Sequence, residues 1–158
     1  MKLKFTLNEE LIEIEECPNK ILLDFLRDIK LLTGAKSACR EGECGACAVL
    51  IDNKLINSCL VYMGTIQNKS IVTIEGFEKT ERFQLLQEAF LECGAVQCGF
   101  CTPGMILACE ALLSQNKNPT EDQIREALSG NLCRCTGYTT IINAIKYAIS
   151  KEASLWTQ

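Results

Sequence analysis

A chain of 158 residues and 17.5 kDa has room for one ordinary domain or two small ones, and 47% hydrophobic with 23% charged residues describes a globular protein, not a disordered one. Sixteen Lys plus Arg against twenty Asp plus Glu leave a net charge of -4 with no basic stripe, which argues against nucleic acid as a partner. The absence of His argues against His-ligated haem, Rieske centres, three-His zinc enzymes and every Ser-His or Cys-His catalytic pair, whereas eleven Cys point to sulfur chemistry.

Met1, Leu3, Phe5 and Leu7 alternate with Lys2, Lys4 and Thr6, Asn8-Glu9-Glu10 turns the chain, and Ile12 and Ile14 alternate with Glu13 and Glu15. This pattern predicts an opening hairpin. It lacks the apolar core and cleavage site of a secretory signal, and no stretch approaches the roughly 20 apolar residues of a membrane span, so a cytoplasmic protein with no membrane attachment is expected. In a reducing compartment eleven cysteines are better read as metal ligands than as disulfides.

Leu22, Phe25, Leu26 and Ile29 recur at helical spacing, with Gly34 expected to stop the helix. A Cys- and Gly-rich loop over 36–47 leads into the strand AVLI, an Asp52-Asn53 turn, KLIN and the run IVTIE at 71–75. Helical stripes follow: Phe83, Leu86 and Phe90; Met105, Cys109 and Leu112; Ile124, Ala127 and Leu128; Ile141, Ile145 and Ile149. Thr102 is expected to cap a helix with Pro103 at its first position, and Thr120 to Gln123 reads as a capping box closed by Gly130. The expected fold class is α+β: a small mixed sheet with one helix over 1–76 and a four-helix unit over 77–158, joined by a linker at 76–82. Each half is small enough for its core to be marginal, so a metal centre or an interdomain contact would help.

The first cysteine set is Cys39-x4-Cys44-x2-Cys47-x11-Cys59, whose first three members have the plant-type 2Fe-2S spacing. A rhombic cluster needs two thiolates on each iron; a compact loop supplies three and a following element the fourth. Gly42 and Gly45 would allow positive φ and let N–H groups approach sulfur. A zinc site is the alternative, although zinc does not explain the x4 spacing. The second set, Cys98-x2-Cys101 and Cys133-x-Cys135, lies at junctions between helical segments, flanked by Gly99, Gly104 and Gly137. Taken bare, it also suits zinc or copper.

CREGECGAC at 39–47, GAVQCGFCTPGM at 94–105 and GNLCRCTGY at 130–138 together resemble the two-cluster iron-sulfur subunit of the molybdenum hydroxylases, the xanthine dehydrogenase and aldehyde oxidase family. The resemblance implies a ferredoxin-like β-grasp domain followed by a four-helix domain, each with one 2Fe-2S cluster. The metal ligands would be Cys39, Cys44, Cys47 and Cys59, and Cys98, Cys101, Cys133 and Cys135. It also implies a large molybdopterin-binding subunit and a medium FAD-binding subunit as partners, in an assembly such as a dimer of heterotrimers. Electrons would pass from the molybdopterin centre through both clusters to FAD, the helical-domain cluster lying nearer the pterin. Gln97 would hydrogen-bond the pterin, and Cys135 would be both ligand and pterin neighbour. No catalytic residue falls on this chain, and the substrate, with xanthine or a related N-heterocycle as first expectation, belongs to another subunit. Ala38 departs from the family's usual Gly before the first ligand. A free-standing two-cluster ferredoxin is the alternative.

Outside these sets, Cys17, Cys93 and Cys109 are expected to be buried packing thiols. Glu41 and Glu43 read as exposed loop charge and not as an acid/base pair. Lys36 reads as a solvated side chain, and Arg134 is either a charge partner for a cluster or a solvated side chain.

Overall fold

A computed structural model describes residues 1–156. Strand β1 (Lys2–Leu7) pairs antiparallel with β2 (Glu10–Glu15) through a two-residue turn in which Asn8 and Glu9 both have positive φ, the geometry that matches the twist of a tight hairpin. Helix α1 covers Leu22–Asp24 and continues as a π turn over Phe25–Ile29. The wider turn rotates Ile29 away from the core face, so it is exposed, and Leu23 is buried in its stead. Strands β3 (Ala48–Ile51) and β4 (Lys54–Asn57) form a second hairpin over Asp52 and Asn53, again with positive φ at both positions.

Strand β5 (Ser70–Val72) lies parallel to β1 and antiparallel to β3, giving the order β2-β1-β5-β3-β4. The run IVTIE is therefore not one strand. Thr73 takes the N-cap position of a one-turn helix α2 (Ile74–Phe77), whose Glu75 accepts from the Gly34 N–H at 2.8 Å. Gly34 does not stop α1, which ends before Leu31 at a positive φ of 57°. Its role is close approach, since a Cβ at Gly34 would collide with the Ile74 side chain.

Four longer helices follow: α3 (Glu81–Glu92), α4 (Thr102–Gln115), α5 (Glu121–Leu128) and α6 (Thr139–Glu152). The capping box at Thr120 forms as expected. The expected cap at Thr102 does not: Cys101 holds the N-cap position in αR geometry, its carbonyl accepting from Met105 N at 3.0 Å, so Thr102 is already helical.

Two apolar cores result. One gathers Leu3, Phe5, Ile12, Leu22, Phe25, Leu26, Val49 and Ile71 between sheet and α1. The other gathers Leu86, Phe90, Met105, Leu107, Ile124, Ile141 and Ile145 among the helices. Adjacent residues of β3 point to opposite faces, so Val49 enters the first core and Leu50 the second. Helix α4 packs between β3 and the other helices, and every residue from Gly104 to Ala111 is buried. The expected linker is packed as well, with Phe77 only 3% exposed. Among the described residues no helix is long and apolar enough to cross a membrane.

Candidate metal centres

The loop carrying Cys39, Cys44 and Cys47 is held open by backbone geometry. Arg40, Gly42 and Gly45 all have positive φ, at 60°, 81° and 67°. Glycine takes this conformation freely and arginine only under constraint. The constraint is visible: the Arg40 guanidinium donates to both carboxylate oxygens of Asp24 at 2.8 and 2.7 Å, tying the loop to α1. From the other side Asn57 Nδ2 donates to the Gly42 carbonyl at 2.8 Å. Cys59 arrives on the 3-10 turn Ser58–Leu60 after β4, the following element that the spacing called for.

Within this site the thiols meet in twos. Cys39 lies in hydrogen-bond reach of Cys44, and Cys47 of Cys59. The Glu41 N–H, 3.4 Å from Cys39 Sγ, together with the Cys44 N–H, brings the Cys39 thiol down to about 6. Burial pushes the Cys47 thiol up to about 11. Cys39 thus sits among donors that favour thiolate, while Cys47 and Cys59 are buried.

The second site joins two segments more than thirty residues apart. Cys98 and Cys101 precede α4, Cys133 and Cys135 precede α6, and both helices pack on α3 and α5, which brings the segments together. Cys98 Sγ lies 3.7 Å from Cys135 Sγ, and Cys101 contacts Cys133. Cys98 and Cys135 are exposed, and Cys101 and Cys133 are half-buried. Burial raises the Cys101 thiol to about 12. The sulfurs face a cavity of about 560 Å³ that Phe100, Leu132, Arg134 and Tyr138 also line. Arg134 is exposed on that rim.

Both sites hold four sulfurs as two pairs. Among the described residues no group of three or more His, Cys, Asp or Glu is gathered for a single metal ion. A tetrahedral zinc site needs its ligands about one point, whereas a two-iron rhomb needs two thiolates at each end. The donor sets fit the 2Fe-2S cluster.

The two sites touch. Leu132 N–H donates to the Cys44 carbonyl at 2.9 Å, and buried Asn131 Nδ2 donates to the Gly45 carbonyl at 3.2 Å. Gly104, at the start of α4, lies against that same Gly45 carbonyl, so close that a Cβ would come within 2.5 Å of it.

Other candidates fall into place differently. Gln97 is exposed, and its carboxamide has no hydrogen-bond partner among the described residues. Glu41 and Glu43 are exposed and unpaired with one another. Lys36 is not simply solvated, because its Nζ donates to the Thr33 carbonyl at 2.9 Å. Cys109 is fully buried and Cys93 half-buried, but Cys17 is exposed, contrary to expectation: it lies two residues beyond β2, on the same side of the alternation as the exposed Glu13 and Glu15. Arg40, Asn57 and Asn131 were missed by sequence reasoning, since each acts on a segment distant in sequence.

Comparison with known proteins agrees with this geometry. Residues 5–65 match the family model of a 2Fe-2S iron-sulfur cluster binding domain, and residues 73–146 that of a 2Fe-2S binding domain. The nicotinate dehydrogenase small FeS subunit of Eubacterium barkeri is 47% identical over 152 residues, 96% of this chain and 97% of its own length. The xanthine dehydrogenase iron-sulfur-binding subunit of Escherichia coli O157:H7 is 44% identical over 142 residues, covering 89% of each chain. Quinoline 2-oxidoreductase from Pseudomonas putida 86 superposes with a TM-score of 0.89 at 42% identity, over 97% of this chain and 95% of that one. The chain belongs to the two-cluster iron-sulfur subunits of the molybdenum hydroxylase family and is the electron-transfer component of an oxidoreductase whose molybdopterin and FAD reside on partner subunits.

Proposed function

We propose that this chain serves a molybdenum hydroxylase that oxidises an N-heteroaromatic compound. The observation that carries the substrate class is that the three relatives named above match this chain along most of both lengths, and their names specify nicotinate, xanthine and quinoline. Xanthine itself is one member of that class and nicotinate another.

In this reading Cys39, Cys44, Cys47 and Cys59 hold one 2Fe-2S cluster in the unit 1–76, and Cys98, Cys101, Cys133 and Cys135 hold the other in the unit 77–158. When bound, such clusters take up and release one electron at a time. The protein's own part is to fix the thiolates in pairs, to direct N–H donors at sulfur and to keep the two sites in contact through Asn131 and Leu132. The exposed sulfurs Cys98 and Cys135, with the apolar rim of Phe100 and Leu132, form the face toward the large molybdopterin-binding subunit. There the free Gln97 carboxamide hydrogen-bonds the pterin, and Cys135 lies beside it. The medium FAD-binding subunit approaches the ferredoxin-like half. A dimer of heterotrimers in the cytoplasm is the assembly this reading expects.

The test purifies the complex from its host, counts iron and molybdopterin, and assays N-heterocycles against aldehydes. Turnover of nicotinate or xanthine with copurified large and medium subunits supports the reading, whereas aldehydes alone as substrates overturn the substrate class. Isolation of an active carrier without partners would favour the free-standing ferredoxin. A Gln97→Ala subunit is expected to keep its iron and to lower molybdopterin retention in the complex, since a buried hydrogen bond is worth about 1–3 kcal/mol. Unchanged retention removes Gln97 from the pterin site.

A further inference from the structure

Thr136 follows the last cysteine and is not itself a ligand type, yet its side chain points back into the second site. Its Oγ1 lies 3.1 Å from Cys133 Sγ. The same oxygen accepts from the Tyr138 N–H at 3.4 Å, and the Tyr138 hydroxyl accepts from the Cys133 N–H at 2.9 Å. These contacts close a ring from Cys133 through Thr136 and Tyr138 back to Cys133. Tyr138 maintains it at a φ of 68°, a conformation that a bulky residue adopts only when its surroundings impose it.

Proton bookkeeping fixes the direction of the contact. A cysteine bound to metal is a thiolate and can only accept, and a hydroxyl that accepts from the Tyr138 N–H retains its own hydrogen to donate. That hydrogen is aimed at Cys133 Sγ. In the first site the neighbouring hydroxyl, Ser58, donates to the Cys47 carbonyl at 2.7 Å and also lies within reach of the Cys47 thiol. The Thr136 hydroxyl, by contrast, has no carbonyl acceptor among the described residues and is aimed at sulfur alone.

We infer that Thr136 is a positioning residue that raises the reduction potential of the centre in the helical half, by donating its hydroxyl hydrogen to the Cys133 thiolate. Adding one electron to that centre increases the negative charge on its sulfurs, so a fixed donor stabilises the reduced form more than the oxidised form. The device biases the helical-half centre toward holding an electron. The inference rests on Cys133 being a ligand of that centre, which iron content and the two electron paramagnetic resonance signals of wild type test separately.

The experiment is a mediated redox titration of the assembled complex followed by electron paramagnetic resonance, with the helical-half signal identified as the one that Cys101→Ser abolishes. Thr136→Val and Thr136→Ala remove the donor, and Thr136→Ser retains it. Either of the first two is expected to make reduction of the helical-half centre about tenfold less favourable, which for a one-electron couple is about 59 mV. The ferredoxin-like signal should keep its potential, and Thr136→Ser should titrate close to wild type. An unchanged helical-half potential in an iron-replete Val or Ala variant overturns the inference. So does an equal shift in Thr136→Ser, which would indicate a steric effect. Failure of both Val and Ala variants to load iron, with Thr136→Ser loading normally, would assign Thr136 to assembly and also overturn it.

Discussion

The two sulfur sites are built in opposite ways. The first is local: three cysteines within nine residues and a fourth just after the next hairpin, with Cys47 and Cys59 buried beneath the loop. The second is assembled from two distant segments that lead into α4 and α6, helices that both pack on α3 and α5, and it leaves Cys98 and Cys135 exposed. A local site can be enclosed by its own loop. A site made from helix ends stays open on the side away from the bundle, where a partner subunit can complete it.

The contrast is broken most severely by removing a ligand. Cys44→Ser should abolish only the ferredoxin-like centre and Cys101→Ser only the helical one, each halving the iron content and deleting one of two resonance signals. Loss of both centres in either variant would show that the halves do not assemble independently. The cross-contact predicts a smaller effect. Gly45→Ala must hold alanine at a φ of 67° and place its Cβ against the Gly130 carbonyl and Asn131, whereas Gly94→Ala has a similar φ of 62° and nothing within 4 Å. The second variant should lose about 1–2 kcal/mol from conformation alone, and the first distinctly more, measured by denaturant unfolding of the iron-loaded proteins. Equal losses would mean that the halves yield at this contact. Least affected should be Cys17→Ser and Cys93→Ser, with full iron, both signals and stability within about 0.5–1 kcal/mol of wild type. Iron loss in either would show that the ligand partition is wrong.

The parts legible in the sequence were those set by neighbours along the chain. Asn8, Asp52 and Asn53 tolerate the positive φ that the two-residue hairpin turns need, and the capping box at Thr120 needs only the three residues after it. What misled was context. Ile29 fits the helical stripe of α1, but the π turn carries it out to solvent. Ile74 and Glu75 extend a strand pattern, but Thr73 starts a helix there whose Glu75 binds the Gly34 N–H.

Cysteine spacing and the lack of histidine pointed by themselves to sulfur-held metal, and the resemblance carried by the three cysteine motifs pointed to iron-sulfur electron transfer, because ligand type and loop length are properties of the chain. Only the tertiary structure decided which thiols pair, that α4 is enclosed between the sheet and the other helices, and that Asn131 and Leu132 reach the loop of the other site. Those outcomes depend on groups that are distant in sequence and meet only when two apolar cores pack against the shared strand β3, and no spacing rule encodes that meeting.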